Sequence, residues 1–265
     1  MFDRSEIKFS KFDKKRGVKI PNRLSSDLAY LIGIHIGDGT MNYYIDKQDY
    51  WISYSGHLID EYDWYIKTLK PLITSLFNIN PKIQKDKRLG RTSVRLYFRS
   101  KAILSFLNSL GLPLGPKKNL EVPSIIKSSN DKIKRYFLMG LADTEFCLTF
   151  KRRYKKTHYY PVVEYSTADK KLMNSIVDLL KEFNIVGYKL EKYPTERNGK
   201  KLFTNQLHLN GKTNLNRWLN QIGFKSDKHL TKLKLWEKYG FCPPGTNLLD
   251  RRNILAGVID INSFY

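Results

Sequence analysis

Asp38 and Glu145 are the residues whose setting could do chemistry. Each closes an apolar run broken by small residues: Leu31-Ile32-Gly33-Ile34-His35-Ile36-Gly37-Asp38-Gly39, and Leu138-Met139-Gly140-Leu141-Ala142-Asp143-Thr144-Glu145-Phe146. Gly33 and Gly37, and Gly140 and Thr144, stand four apart. In a helix they share one face, where missing side chains let two backbones approach closely. Two helices packed on those faces would bring their C-terminal ends, and with them both carboxylates, side by side. Those ends are the negative poles of the helix dipoles, so a cation is favoured there. Asp38, Glu145 and the carbonyls of Gly37 and Thr144 are hard oxygen ligands, which suit Mg²⁺, with Mn²⁺ as a substitute. In a two-metal arrangement such ions activate water and stabilise the leaving oxygen of a phosphodiester. One Gly-Asp-Gly after an apolar run would more often be a helix-ending turn; the second copy argues for function.

Other site chemistries find little support. The five histidines are scattered, with no HxxxH or HExxH, and Cys147 and Cys242 form no CxxC, so structural zinc is not expected. Two cysteines make no disulfide framework, which points to a reducing, cytoplasmic setting. The N-terminal stretch is charged from its third residue and has no apolar core, unlike a secretory signal. His35 has no ligand partner at useful spacing and reads as a packed or solvated histidine. Asp143 precedes Glu145 by two, but its counterpart is Ile36, so it reads as a cap or ion-pair residue.

The partner follows from charge. Lys and Arg number 47 against 25 Asp and Glu, a formal charge of +22. A field of that sign attracts polyanions, above all nucleic acid. No apolar run is long enough to span a membrane, and no segment sets basic charge beside an exposed apolar face.

The elements that must position the two acids repeat along the chain. The motif returns at an offset of 107 residues, Phe77-Asn78-Ile79 returns as Phe183-Asn184-Ile185 at 106, and Leu110-Gly111-Leu112 as Ile222-Gly223-Phe224 at 112. Markers in one order at nearly constant spacing imply two homologous halves, 1–125 and 126–265, the second with a tail beyond about 240. In each half a capped apolar helix (25–38, 131–145) runs into the acid, followed by two strands and an amphipathic helix (58–77, 169–184). Two more strands and a short helix (100–110, 212–222) close the half, and the second half adds a helix near 226–239. Strand pairs alternating with helices, without βαβ crossovers, predict an α+β fold with one antiparallel sheet per half in the order αββαββα.

The two nine-residue stretches resemble the paired signature of the LAGLIDADG homing endonucleases, and the resemblance covers nearly the whole chain. Ser55-Gly56-His57, Leu110-Gly111-Leu112-Pro113 and Tyr136-Phe137-Leu138-Met139-Gly140 are similar to archaeal, intron-encoded, single-chain members. The resemblance implies a monomer with a pseudo-two-fold saddle of two sheets over DNA. It implies metal-dependent cleavage of a long, specific double-stranded site, leaving short 3′ overhangs. It also implies catalytic lysines near the cleft, which here would be Lys117 and Lys228, each following the short helix of its half. The rival is a non-catalytic binder on the same scaffold, such as an intron-RNA maturase or a DNA-binding regulator. The chain departs from the family after its second acid. Gly39 can take the left-handed conformation that ends a helix, whereas Phe146 cannot do so cheaply, which predicts an asymmetric site with the Glu145 side altered.

Segment 91–99 carries the clearest binding pattern. Arg91, Ser93, Arg95, Tyr97 and Arg99 alternate with Thr92, Val94, Leu96 and Phe98, giving a basic face outward and an apolar face inward. A ribbon with that face can enter a major groove, where arginine reads guanine. In the second half Lys151, Arg153 and Lys155 crowd the first hairpin, while Thr204, Gln206 and His208 alternate with Phe203, Leu207 and Leu209. Lys85, Lys87 and Arg88, and Lys189 in the second half, are expected to be solvated or to grip phosphates rather than to read bases.

Overall fold

The computed structural model describes residues 2, 5, 7–86, 92–197 and 199–265. Lys87, Arg88 and Arg91, assigned above to the first basic surface, lie outside these residues. The chain packs as two compact units, Met1–Lys117 with Pro123–Thr144, and Lys118–Val122 with Glu145–Tyr265. The second motif helix therefore packs with the first unit, although the sequence repeat assigns it to the second half.

In the first unit, α1 (Lys11–Lys15) precedes α2 (Ser26–Asp38), whose first turn is capped by Ser25 accepting from the Leu28 N–H. The strands β1 (Gly39–Tyr44), β2 (Asp49–His57), β3 (Lys82–Asp86) and β4 (Ser93–Arg99) form an antiparallel sheet in the order β1-β2-β4-β3. Between β2 and β3 run α3 (Leu58–Trp64), a π turn (Tyr65–Leu69) and α4 (Lys70–Phe77). The sequence predicts one unbroken helix here. The turn widens just before Pro71, which has no N–H to give and whose ring crowds the carbonyl four residues back. Next come α5 (Lys101–Ser109), α6 (Ser124–Lys127) and α7 (Asp131–Glu145).

The second unit repeats the sheet with β5 (Phe146–Lys151), β6 (Tyr160–Thr167), β7 (Tyr188–Arg197) and β8 (Lys200–Asn210), in the order β5-β6-β8-β7. Its helices are α8 (Lys170–Lys181), α9 (Gly211–Gln221) and α10 (Asp227–Tyr239). Both units are thus α+β with one four-stranded antiparallel sheet, as the sequence predicts. In each, one sheet face is sealed by apolar side chains, such as Ile52, Tyr54, Val94 and Leu96, or Val163, Tyr165, Leu207 and Leu209, all buried.

Three expectations need correction. Gly39 is not left-handed: its φ of −77° and ψ of 148° are extended, and α2 passes straight into β1. Phe146 likewise opens β5 directly after α7, so neither junction needs a glycine for its backbone. Phe203 is not an inward residue of β8, being 63% exposed; Asn205 takes the buried position and bonds the backbone of Thr167 and Ala168. The tail is folded. It contains α11 (Leu248–Leu255), started by a reciprocal Asn247–Asp250 cap, and a 3-10 turn (Ile261–Phe264). Buried Arg251 fastens α11 to α10 through Thr231 Oγ1 (2.9 Å).

Candidate nucleic-acid interface and acidic helix ends

The first unit shows why the motif glycines are there. A Cβ on Gly33 would overlap the Phe137 carbonyl oxygen of α7, and a Cβ on Gly140 would overlap the Tyr30 carbonyl oxygen of α2. These two contacts are the same contact under the repeat, since Tyr30 and Phe137 are also 107 residues apart. The helices therefore cross backbone to backbone at Gly33 and Gly140, each five residues before the acid that ends its helix. Thr144 turns its hydroxyl back onto its own helix, to the carbonyls of Leu141 (3.0 Å) and Gly140 (3.3 Å). Asp143 is fully buried and accepts from the Tyr30 hydroxyl at 2.5 Å, while Trp64 Nε1 donates to that same hydroxyl. Burial first, and the Asp143 charge second, push the Tyr30 phenol well above its usual value. This pins α7 to α2 and α3, a role its sequence position did not reveal.

At the end of α2, Lys117 Nζ donates to the Ile36 carbonyl (2.8 Å) and to that of Gly37. An ammonium sits where the dipole argument favours a cation. His35 is buried beneath this end and hydrogen-bonded to the Tyr54 hydroxyl at 3.1 Å. Burial, helped by the Lys117 charge, lowers its pKa to about 3, so it is neutral at ordinary pH. Tyr65 is pushed up by burial and then by the charge of Asp38. In the second unit burial, then the Glu145 charge, does the same to Tyr165. Lys228 lies half-exposed in the first turn of α10, its carbonyl accepting from Arg251 Nη2 at 3.4 Å.

The donors fit a hard divalent cation. Each helix supplies one carboxylate, and no group of three or more His, Cys, Asp or Glu residues gathers among the described residues.

The outer sheet faces are mixed in character. Ser93, Arg95, Tyr97 and Arg99 do point away from the core. Arg95 reaches Ser55 Oγ (3.4 Å), Tyr97 stacks on Trp51, and Arg99 pairs with Asp49 (2.7 Å), an acid from the neighbouring strand that no single-strand pattern exposes. In the second unit Lys151 and His208 flank Glu164 at 2.9 and 3.3 Å, and His208 Nε2 lies 3.1 Å from Gln206 Oε1. Thr204 is half-buried, its hydroxyl shielded. Arg153 and Lys155 stand over the rings of Tyr160 and Tyr159.

Two lysines expected at this surface face the other way. Lys85 shares its register with buried Val94 and lies over the Tyr62 ring. Lys189 shares its register with buried Leu207 and bonds Asn174 of α8 and Glu191. Both sit on the helix side of an edge strand, because a one-residue step changes face.

Residues 132–223 match the family model described as a LAGLIDADG-like domain. The fold as a whole is that of LAGLIDADG homing endonucleases. A structure of mesophilic variants of the homing endonuclease I-DmoI aligns with a TM-score of 0.51 at 19% identity, covering 75% of this chain and 90% of that one. I-WcaI bound to its DNA recognition sequence aligns with a TM-score of 0.53 at 15% identity, covering 80% and 87%. An I-DmoI variant in complex with its target DNA and in the presence of Mg gives 0.51 at 18%, covering 75% and 96%.

Curated relatives are larger proteins. The tRNA-splicing ligase RtcB of Methanopyrus kandleri is 26% identical over 220 residues, 76% of this chain and 21% of the ligase. One component of the A-type ATP synthase of Pyrococcus abyssi is 29% identical over 129 residues, 48% of this chain and 11% of that component. The chain thus spans about a fifth and about a tenth of the length of these two relatives. Among its described residues no helix is long and apolar enough to cross a membrane.

Proposed function

We propose that this chain is a site-specific endonuclease of double-stranded DNA, with Asp38 and Glu145 as its metal-holding acids. The observation that supports this most is a repeated one. An apolar helix ends in a carboxylate and passes without a turn into a sheet whose outer face is polar and carries cations. Halves 1–125 and 126–265 each supply one such assembly, so a monomer suffices. The two curated relatives bear names of unrelated activities and are matched over a small part, so what they share with this chain is a module and neither ligation nor ATP synthesis.

Within this reading Asp38 and Glu145, with the carbonyls of Gly37 and Thr144, hold Mg²⁺ or Mn²⁺. A bound ion of this kind supplies an acidified water and charge neutralisation at the leaving oxygen. Lys117, fixed on the end of α2, places positive charge where a phosphate would need it, and Lys228 takes that role in the second half. The outward residues of both sheets grip phosphates, with Arg95 and Gln206 suited to base edges.

The test is cleavage of a plasmid library of candidate sites, with Mg²⁺ and with chelator. Cutting of both strands at one site is expected. Asp38→Asn and Glu145→Gln should each slow it by ~100-fold or more while duplex affinity stays within a few-fold. A second reading, a non-catalytic binder such as an intron-RNA maturase, draws on one observation: Lys117 already engages carbonyls beside Asp38. Tight, specific binding without cutting in either Mg²⁺ or Mn²⁺ would select that reading.

A further inference from the structure

A basic groove in the first unit lies apart from the acidic helix ends. It encloses about 890 Å³ between Phe12 of α1, Tyr50 at the start of β2 and the β4–α5 junction. Its cations are Lys11, Arg16, Lys47, Arg99 and Lys101. The carboxylate in its lining, Asp49, is already paired with Arg99 at 2.7 Å. Arg99 also belongs to the outer sheet face; the other cations come from α1, the β1–β2 connection and the start of α5.

The wall formed by α1 is fixed although the helix has only five residues. Asp13 is fully buried and accepts from Ser10 N (3.0 Å), Ser10 Oγ (2.7 Å), Arg16 Nη2 (3.1 Å) and Ala102 N (3.2 Å). Arg16 Nη2 also donates to the Arg99 carbonyl at 2.7 Å. This anchoring fixes where Phe12 stands, and it stands in solvent, 74% exposed. A phenyl ring among ammonium groups gains nothing for the core. Across the groove Lys101 lies over the Tyr50 ring at 5.5 Å.

We propose that this groove binds unpaired nucleotides of a single-stranded nucleic acid. Bases would stack on Phe12, and the backbone would follow Lys11, Lys47 and Lys101. Exposed aromatics interleaved with cations are the means by which proteins hold single strands, because every base offers a π face and every linkage a charge. A duplex offers neither base face except at its ends, so Phe12 has no use for an intact double helix. The groove is of the size that encloses small ligands, ~300–1,000 Å³. The sheet faces and this groove therefore address different forms of nucleic acid.

The experiment measures fluorescence anisotropy of labelled oligothymidylate and oligouridylate, with a random duplex alongside, on the whole chain. Phe12→Ala should weaken single-strand binding by about tenfold. Duplex affinity and thermal midpoint should stay unchanged, because Phe12 is exposed and distant in role from the sheet face. Phe12→Trp should keep binding, and its added fluorescence should be quenched by the single strand but not by duplex. The ratio between the two oligonucleotides tells a DNA source from an RNA one. Unchanged single-strand binding in Phe12→Ala overturns the proposal, as does an equal loss on single strand and duplex or an unquenched Trp. Failure of DNA cleavage would sink the endonuclease reading and leave this result intact, so the two are judged separately.

Discussion

In the first half the residue facing Tyr54 across β1 and β2 is Gly39; in the second the residue facing Tyr165 across β5 and β6 is Phe146. One turn earlier on the helix the order is reversed, His35 in the first half and Ala142 in the second. Each junction has room for one large ring against its tyrosine. In the first half His35 fills it edge-on, with ring centroids 5.4 Å apart, and a Cβ on Gly39 would collide with that imidazole. In the second half Phe146 fills it, stacked on Tyr165 at 4.7 Å and against Trp218 at 5.0 Å. The two ends are thus equivalent in backbone and complementary in side-chain volume, as dense packing demands. The residue after the second acid departs from the first copy because the ring has moved from the helix to the strand, and the backbone has not changed.

This pairing can be broken where the halves are alike. Gly33→Ala and Gly140→Ala each force a methyl into a facing backbone carbonyl that has nowhere to go. Each should cost about 3 kcal/mol or more, by similar amounts, in urea denaturation. A large difference between the two would mean that the crossing is not the symmetric contact described.

Where the halves differ, the ring itself can be removed. Phe146→Ala should cost about 3–4 kcal/mol through the cavity left against Tyr165 and Trp218. Adding Ala142→His to Phe146→Gly rebuilds the first half's arrangement and should recover part of the loss of Phe146→Gly alone. No recovery would show that the two pockets are not interchangeable.

The ring in the first half also titrates. His35 has a folded pKa of about 3, below its ordinary 6.5. The depression is set by burial and Lys117. Stability from keeping it neutral is therefore fully present above pH 6.5 and is lost as pH falls from there toward 3. Between pH 7 and pH 5 the wild type should lose about 2 kcal/mol that His35→Gln does not lose. The second half, with Ala142 in that place, has no such slope, so an equal pH dependence in both proteins would remove the argument.

The smallest expected effect concerns the hairpins that reach beyond the sheets. The β1–β2 connection in the first half is a short 3-10 turn, Ile45–Lys47. The longer β5–β6 connection is held by later parts of the chain. The Tyr265 hydroxyl accepts from the His158 N–H (2.9 Å), Cys242 N donates to the His158 carbonyl (3.0 Å), and Trp236 Nε1 donates to the Tyr159 carbonyl (2.8 Å). Tyr265→Ala should raise amide exchange across 152–159 and weaken duplex binding about fivefold, with protection lost on one half-site only. Uniform weakening across the site would assign those residues no local role.

The sequence by itself determined the repeat, the α+β class, the two acids at helix ends and the alternation of β4, because these are periodic or local signals. Period 3.6, period 2 and a recurring motif survive without knowledge of neighbours. It did not determine what stands across from a residue. Asp49 beside Arg99, Glu164 between Lys151 and His208, and Asp143 under Tyr30 come from other elements, and a carboxylate's partner is set by three-dimensional proximity. For the same reason the pattern along each strand misplaces Lys85 and Lys189, since the register of an edge strand is fixed by its partner. The folded tail escapes a sequence reading because α11 is short and carries no clear apolar stripe, and its stability comes from Arg251 buried against α10. The tertiary structure alone decided why Gly39 is a glycine: the space its side chain would need belongs to the ring of His35.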